Sequence, residues 1–141
     1  MPERSTAQTL AALAALAFLL AGVAGFIPGV TTRFTGLADW GPDAHAQLLG
    51  LFRVSVLHNA VHLTSGVAGL ALARNPFGAW LFLVGGGIAY LDLTIYGVVV
   101  DSASRANFVP VDTADNVLHL VLGAAMAVAG LLAARRPARA A

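Results

Sequence analysis

The run Arg53-Val54-Ser55-Val56-Leu57-His58-Asn59-Ala60-Val61-His62 sets a guanidinium, two imidazoles and a carboxamide inside a stretch that is otherwise apolar. Ser55, His58, His62 and Ser65 follow at steps of three, four and three, so a helix aligns them in one stripe with Asn59 at its flank. Asp112, Asp115 and His119 repeat the three–four spacing near the other end of the chain, with Asn116 beside them. Asp92 stands alone in a third apolar stretch. Ionisable groups in hydrocarbon are costly and rarely persist without partners or a purpose. Any activity is therefore to be sought at these residues.

Four chemistries suit such a set. In the first, His58 and His119 hydrogen-bond Asp92, Asn59 or Asn116, and Ser55, Asn59, Asp92, Asp112, Asp115 and Asn116 form a structural polar cluster that holds helices in register. In the second, His58 and His62, an i,i+4 chelating pair, join His119 and Asp92 (or Asp115) around zinc, copper or iron. In the third, His58 and His119 are the axial ligands of a b-type haem, with Arg53 or Arg105 toward its propionates. The fourth is a proton or ion relay through Asp, His and Tyr96, against which the inner half of the apolar runs offers no ionisable group. No nucleophile motif or phosphate-binding loop stands out, and Gly85-Gly86-Gly87 reads as a close-packing site. These features lean away from an enzyme.

The elements that must position these residues are membrane helices. Of 141 residues, 58% are hydrophobic and only 11% charged, against about a quarter charged in soluble domains. Mean hydropathy is +0.79. Cysteine is absent, which excludes disulfides and thiolate metal sites, and a net charge of +1 gives no reason to expect nucleic acid as a partner. Apolar stretches predict four helices, at about 10–27, 43–72, 77–100 and 114–134, within one transmembrane domain spanning 1–141. Each is near or above the ~20 residues that cross a bilayer, and barrel strands of about 10 residues do not fit such runs.

Pro28-Gly29 is expected to end the first helix. Gly41-Pro42-Asp43 is expected to start the second, Asn75-Pro76 to turn into the third, and Asp112 with Asp115 to cap the fourth in the manner of a capping box. Arginine counts favour both termini in the cytoplasm: Arg4, Arg74, Arg135, Arg136 and Arg139 fall on one side, and Arg33, Arg53 and Arg105 on the other. At about 1.5 Å per residue, His58, His119 and Asp92 then converge in the outer half of the membrane. A competing expectation makes the first apolar stretch a cleaved signal peptide, with Ala21-Gly22-Val23-Ala24 near its end.

Three segments carry a family resemblance: Gly25-Phe26-Ile27-Pro28-Gly29-Val30-Thr31-Thr32, Leu51 through Leu63, and Ala106 through Leu120. Together they resemble a bacterial family known as domain of unknown function 4383, small four-helix membrane proteins frequent in actinobacteria. Family members often carry asparagine where this chain has Asp112, a change that leaves the capping role intact. The resemblance implies that the first helix is retained as a span, and it brings no biochemical activity. The expectation is an all-α, integral-membrane four-helix bundle in the bacterial inner membrane. Its expected role is that of a non-enzymatic accessory or structural subunit, packing against itself or within a larger membrane complex. The alternative is a metal- or haem-b-binding protein that uses His58, His62 and His119.

Overall fold

The computed structural model describes residues 5–134. Four α-helices run over Thr6–Ala24 (α1), Val56–Leu72 (α2), Pro76–Val99 (α3) and Thr113–Ala134 (α4). Between α1 and α2 lie three short strands, Thr31–Thr32 (β1), Ala46–Leu48 (β2) and Phe52–Val54 (β3), paired antiparallel in the order β1-β2-β3. A single 3-10 turn over Phe34–Gly36 interrupts the connection.

By length and composition α1, α3 and α4 are able to cross a bilayer. With 17 residues, α2 is the shortest of the four and sits at the lower limit of a span. The chain is thus mostly helical, with four helices as expected, but the all-α expectation is amended by the small sheet.

The largest correction falls on the second helix, which begins at Val56 and not near residue 43. Gly41 at φ 82, Leu49 at φ 55 and Gly50 at φ 72 cannot belong to a right-handed helix. The expected helix is instead a hairpin, in which Ala46 pairs with Val54, Gln47 with Arg53 and Leu48 with Phe52. Ser55, expected within the helix, is its N-cap, and its hydroxyl accepts the His58 N–H at 3.0 Å.

Other boundaries follow their local chemistry. Ser5 and Gln8 close a reciprocal capping box on α1, and Gly25 caps its far end. The Asn75 side chain accepts the Gly78 N–H at 2.7 Å, with Pro76 opening α3. Asp112 Oδ1 accepts from the N–H groups of Ala114 (2.8 Å) and Asp115 (3.1 Å), while Asp115 Oδ2 accepts from the Asp112 N–H at 3.1 Å. Both partners of the expected box on α4 are therefore engaged.

The Gln8 side chain donates to the Ala73 carbonyl at 3.2 Å, so the start of α1 lies beside the end of α2 and the two run antiparallel. At the opposite end the two long connections meet, with the Gly41 N–H donating to the Phe108 carbonyl at 3.0 Å. The α1–α2 and α3–α4 pairs make the most extensive contacts, and α1 also packs on α3. Ala11, Ala15 and Phe18 of α1 join Phe82, Leu83, Tyr90 and Met126 in the core. The residues of the supposed signal peptide are thus structural members of the bundle. A second small cluster, Ala46, Leu48 and Val54 against Ala21 and Ala24, seats the sheet on the end of α1.

Candidate metal centre

Two capped helix starts set the depth of the histidines. Ser55 caps α2 three residues before His58, and the Asp112–Asp115 box caps α4 with His119 one turn beyond Asp115. One hydrogen bond ties the two starts together: the Arg53 N–H of β3 donates to Asp115 Oδ2 at 3.0 Å. It lies one turn before His119 on α4 and five residues before His58, so it holds the two rings level.

The His58 and His62 ring centroids are 4.7 Å apart, and those of His58 and His119 are 6.1 Å apart. One ring nitrogen of each of His58, His62 and His119 lies within 4.8 Å of the corresponding nitrogens of the other two. His58 and His119 are buried and His62 half-buried. The Nδ1 atoms of all three are buried without a hydrogen-bond partner. Aromatic rings enclose the group: Tyr90 meets His119 edge-on at 5.1 Å, and Phe18 lies parallel to His62 at 6.0 Å and to Tyr90 at 5.2 Å. Three imidazoles in an apolar, aromatic-walled space form a donor set that suits zinc, copper, iron or nickel.

The other expected site residues are placed elsewhere. Asp92 is exposed on α3 and lies outside the histidine set. Tyr90, two residues earlier, faces the core, and two residues turn a helix by about 200°, so Asp92 points away. The Arg53 guanidinium is taken by backbone carbonyls: Nε donates to Ala44 at 2.6 Å and Nη2 to Pro42. It is thereby withdrawn from any ligand between the histidines. Asn59 is fully buried against α1, where a Cβ on Gly25 would collide with its carboxamide. Asn116 makes the same kind of contact with Gly97 of α3. These amides, with Ser55, Asp112 and Asp115, line the helix junctions and not the space between the imidazoles.

Sequence reasoning missed Phe18 and Tyr90, the walls of the cluster. Phe18 is one apolar residue among many in α1, with no local signal. Tyr90 was findable, because it sits on the face of α3 opposite the conspicuous Asp92.

A small, mostly helical protein, with three helices apolar enough to span a membrane and a histidine cluster at the junction of two capped helices, is the class that fold and site define. The chain belongs to the family described as Domain of unknown function (DUF4383), whose model matches residues 8–132. That match includes α1 almost entirely, along with all three histidines. No curated protein and no solved structure matches the chain.

Proposed function

We propose that this protein is a bacterial inner-membrane protein, both termini cytoplasmic, that binds one transition-metal ion through His58, His62 and His119. The observation that carries the reading is the convergence of three histidine nitrogens within 4.8 Å, with every Nδ1 of the set buried and unpartnered. Imidazole nitrogens that converge in an enclosed space without hydrogen-bond partners have lone pairs left to offer a ligand. A tetrahedral ion at about 2.0–2.1 Å from each nitrogen needs them roughly 3.4 Å apart, a closure that small side-chain rotations supply. Three protein ligands leave a fourth position for an external donor. A haem fits less well, since His62 and Tyr90 pack against His58 and His119 and occupy the space that a macrocycle between those two rings would need.

The orientation rests on the arginine distribution. It agrees with the placement of the start of α1 beside the Arg74 turn. A second reading, an accessory or structural subunit of a membrane assembly, is favoured by the Arg53–Asp115 link, which ties β3 to α4 without any ligand.

Metal content separates the two. Protein purified in mild detergent and loaded with Co²⁺ is expected to hold about one ion per chain with a tetrahedral absorption band. His58→Ala, His62→Ala and His119→Ala should each weaken binding roughly tenfold or more, the loss of a ligand exceeding that of an outer-shell partner. Wild-type protein that binds neither Co²⁺ nor Zn²⁺, yet loses thermal stability on His119→Ala, would give the site to the structural reading.

A further inference from the structure

Asp92 poses a separate question, because an exposed carboxylate on a membrane-spanning helix has no place among lipid tails. It lies seven residues before the end of α3 at Val99, roughly 10 Å along the helix axis. Among the described residues no hydrogen bond takes up its carboxylate; the nearest side-chain bonds on α3 are those of Thr94 to Tyr90 and Tyr96 to Ala106. It opens into a cavity of about 310 Å³ lined by Ala89, Asp92, Leu93, Tyr96, Phe108 and Val109. The first four form one face of α3 over two turns, and the last two come from the connection to α4.

The aromatic part of this cavity is fixed in place. The Tyr96 hydroxyl donates to the Ala106 carbonyl at 2.7 Å, which ties the connection down onto α3. Tyr96 and Phe108 then stand edge to face at 5.6 Å. Such a site combines a carboxyl group without a hydrogen-bond partner among the described residues, π surface and apolar walls. A cation on an apolar body satisfies all three: its charge pairs with the carboxylate, its N–CH groups lie against ring faces, and its tail replaces lipid along Ala89 and Leu93. Phe108 and Val109 bound the cavity near the end of α3, which suits a small ligand better than a continuous partner helix.

We propose that this groove binds an organic ammonium carried on an apolar body, with Asp92 as its counter-ion and Tyr96 and Phe108 as its aromatic wall. The ammonium has two sources, an aminophospholipid head group or a free lipophilic amine. The site is independent of the histidine centre.

The test is saturation binding of radiolabelled decyltrimethylammonium to the full chain in nanodiscs of phosphatidylglycerol. Wild type is expected to bind saturably, and Asp92→Asn to bind roughly tenfold or more weakly. Asp92→Glu should restore most of the affinity by keeping the carboxylate, Phe108→Ala should weaken it, and Gly85→Ala, at a position with nothing within 4 Å, should leave it unchanged. Phosphatidylethanolamine added to the nanodiscs displaces the probe if the lipid is the source and leaves it bound if a free amine is. Equal binding by wild type and Asp92→Asn overturns the proposal. So does a wild-type dimer in the nanodisc whose Asp92→Cys variant cross-links across this face, since the groove then belongs to a second copy.

Discussion

At the scale of single residues, Asp115 joins the two helix starts that carry His58 and His119. One of its oxygens accepts two backbone N–H groups, from Asp112 within its own cap and from Arg53 across the molecule. The residue is 1% exposed, so neither donor has water to turn to when the carboxylate is removed. Asp115→Ala is therefore expected to cost about 3 kcal/mol, because two buried backbone N–H donors lose their acceptor. Asp115→Asn, whose amide oxygen can still accept both N–H groups, should lose clearly less than that. Thermal unfolding in detergent checks both outcomes. The importance of Asp115 was only half legible in the sequence. Its capping role follows from the Asp112–Asp115 spacing, but the bond from Arg53 depends on a backbone N–H left free by a strand. A helix through residue 53 would have used that N–H internally. The i,i+4 pairing of His58 with His62 was legible for the opposite reason, because both lie inside one uninterrupted helix.

At the scale of elements, the hairpin between α1 and α2 explains most of what the sequence concealed. Leu48-Leu49-Gly50-Leu51-Phe52 is a continuous apolar run and merges with the run that follows, so hydropathy joins it to α2. The pattern of a strand is present but short: Ala46-Gln47-Leu48 and Phe52-Arg53-Val54 each alternate apolar, polar, apolar, which is the two-residue period of a half-buried sheet. Ala46, Leu48 and Val54 are indeed the buried members. Three-residue strands are too brief for that signal to outweigh a twenty-residue apolar window. Leu49 carries the cost of the turn, since it holds φ 55 with a β-carbon and its side chain is 65% exposed. Replacing it by glycine removes left-handed strain of about 1–2 kcal/mol while sacrificing little burial. Leu49→Gly is thus expected to raise the midpoint of thermal unfolding, whereas Gly50→Val, which puts a branched side chain at φ 72, should lower it. A drop in stability for Leu49→Gly would mean that the exposed leucine earns its place through contact with lipid.

At the scale of the whole molecule, the histidine cluster depends on how closely α3 approaches α4, since α3 supplies Tyr90 and α4 supplies His119. The approach is closest where Gly87 faces Gly123. A Cβ on Gly87 would stand 2.8 Å from the Gly123 carbonyl oxygen and 2.6 Å from the Ala127 nitrogen, and one on Gly123 would stand 2.9 Å from the Gly87 carbonyl oxygen. Backbone on both sides leaves no flexible side chain to yield, and small residues at such crossings are what allow membrane helices to pack. Gly123 lies one turn beyond His119, and its added Cβ would also stand 3.1 Å from the Tyr90 Cβ. Gly123→Val must therefore push α3 outward and lift Tyr90 from the His119 ring. The expected cost is about 1–3 kcal/mol of stability, together with weaker Co²⁺ binding, although no ligand has been touched. Gly85, on the same helix, meets nothing within 4 Å, so Gly85→Ala should be neutral or stabilising by up to about 1 kcal/mol and leave Co²⁺ affinity unchanged. Measuring metal affinity and unfolding together in the two variants distinguishes a centre held by the bundle from one held by α2 and α4 alone. Unchanged affinity in a destabilised Gly123→Val protein would show that the hairpin link and the two caps are sufficient to hold the histidines in place.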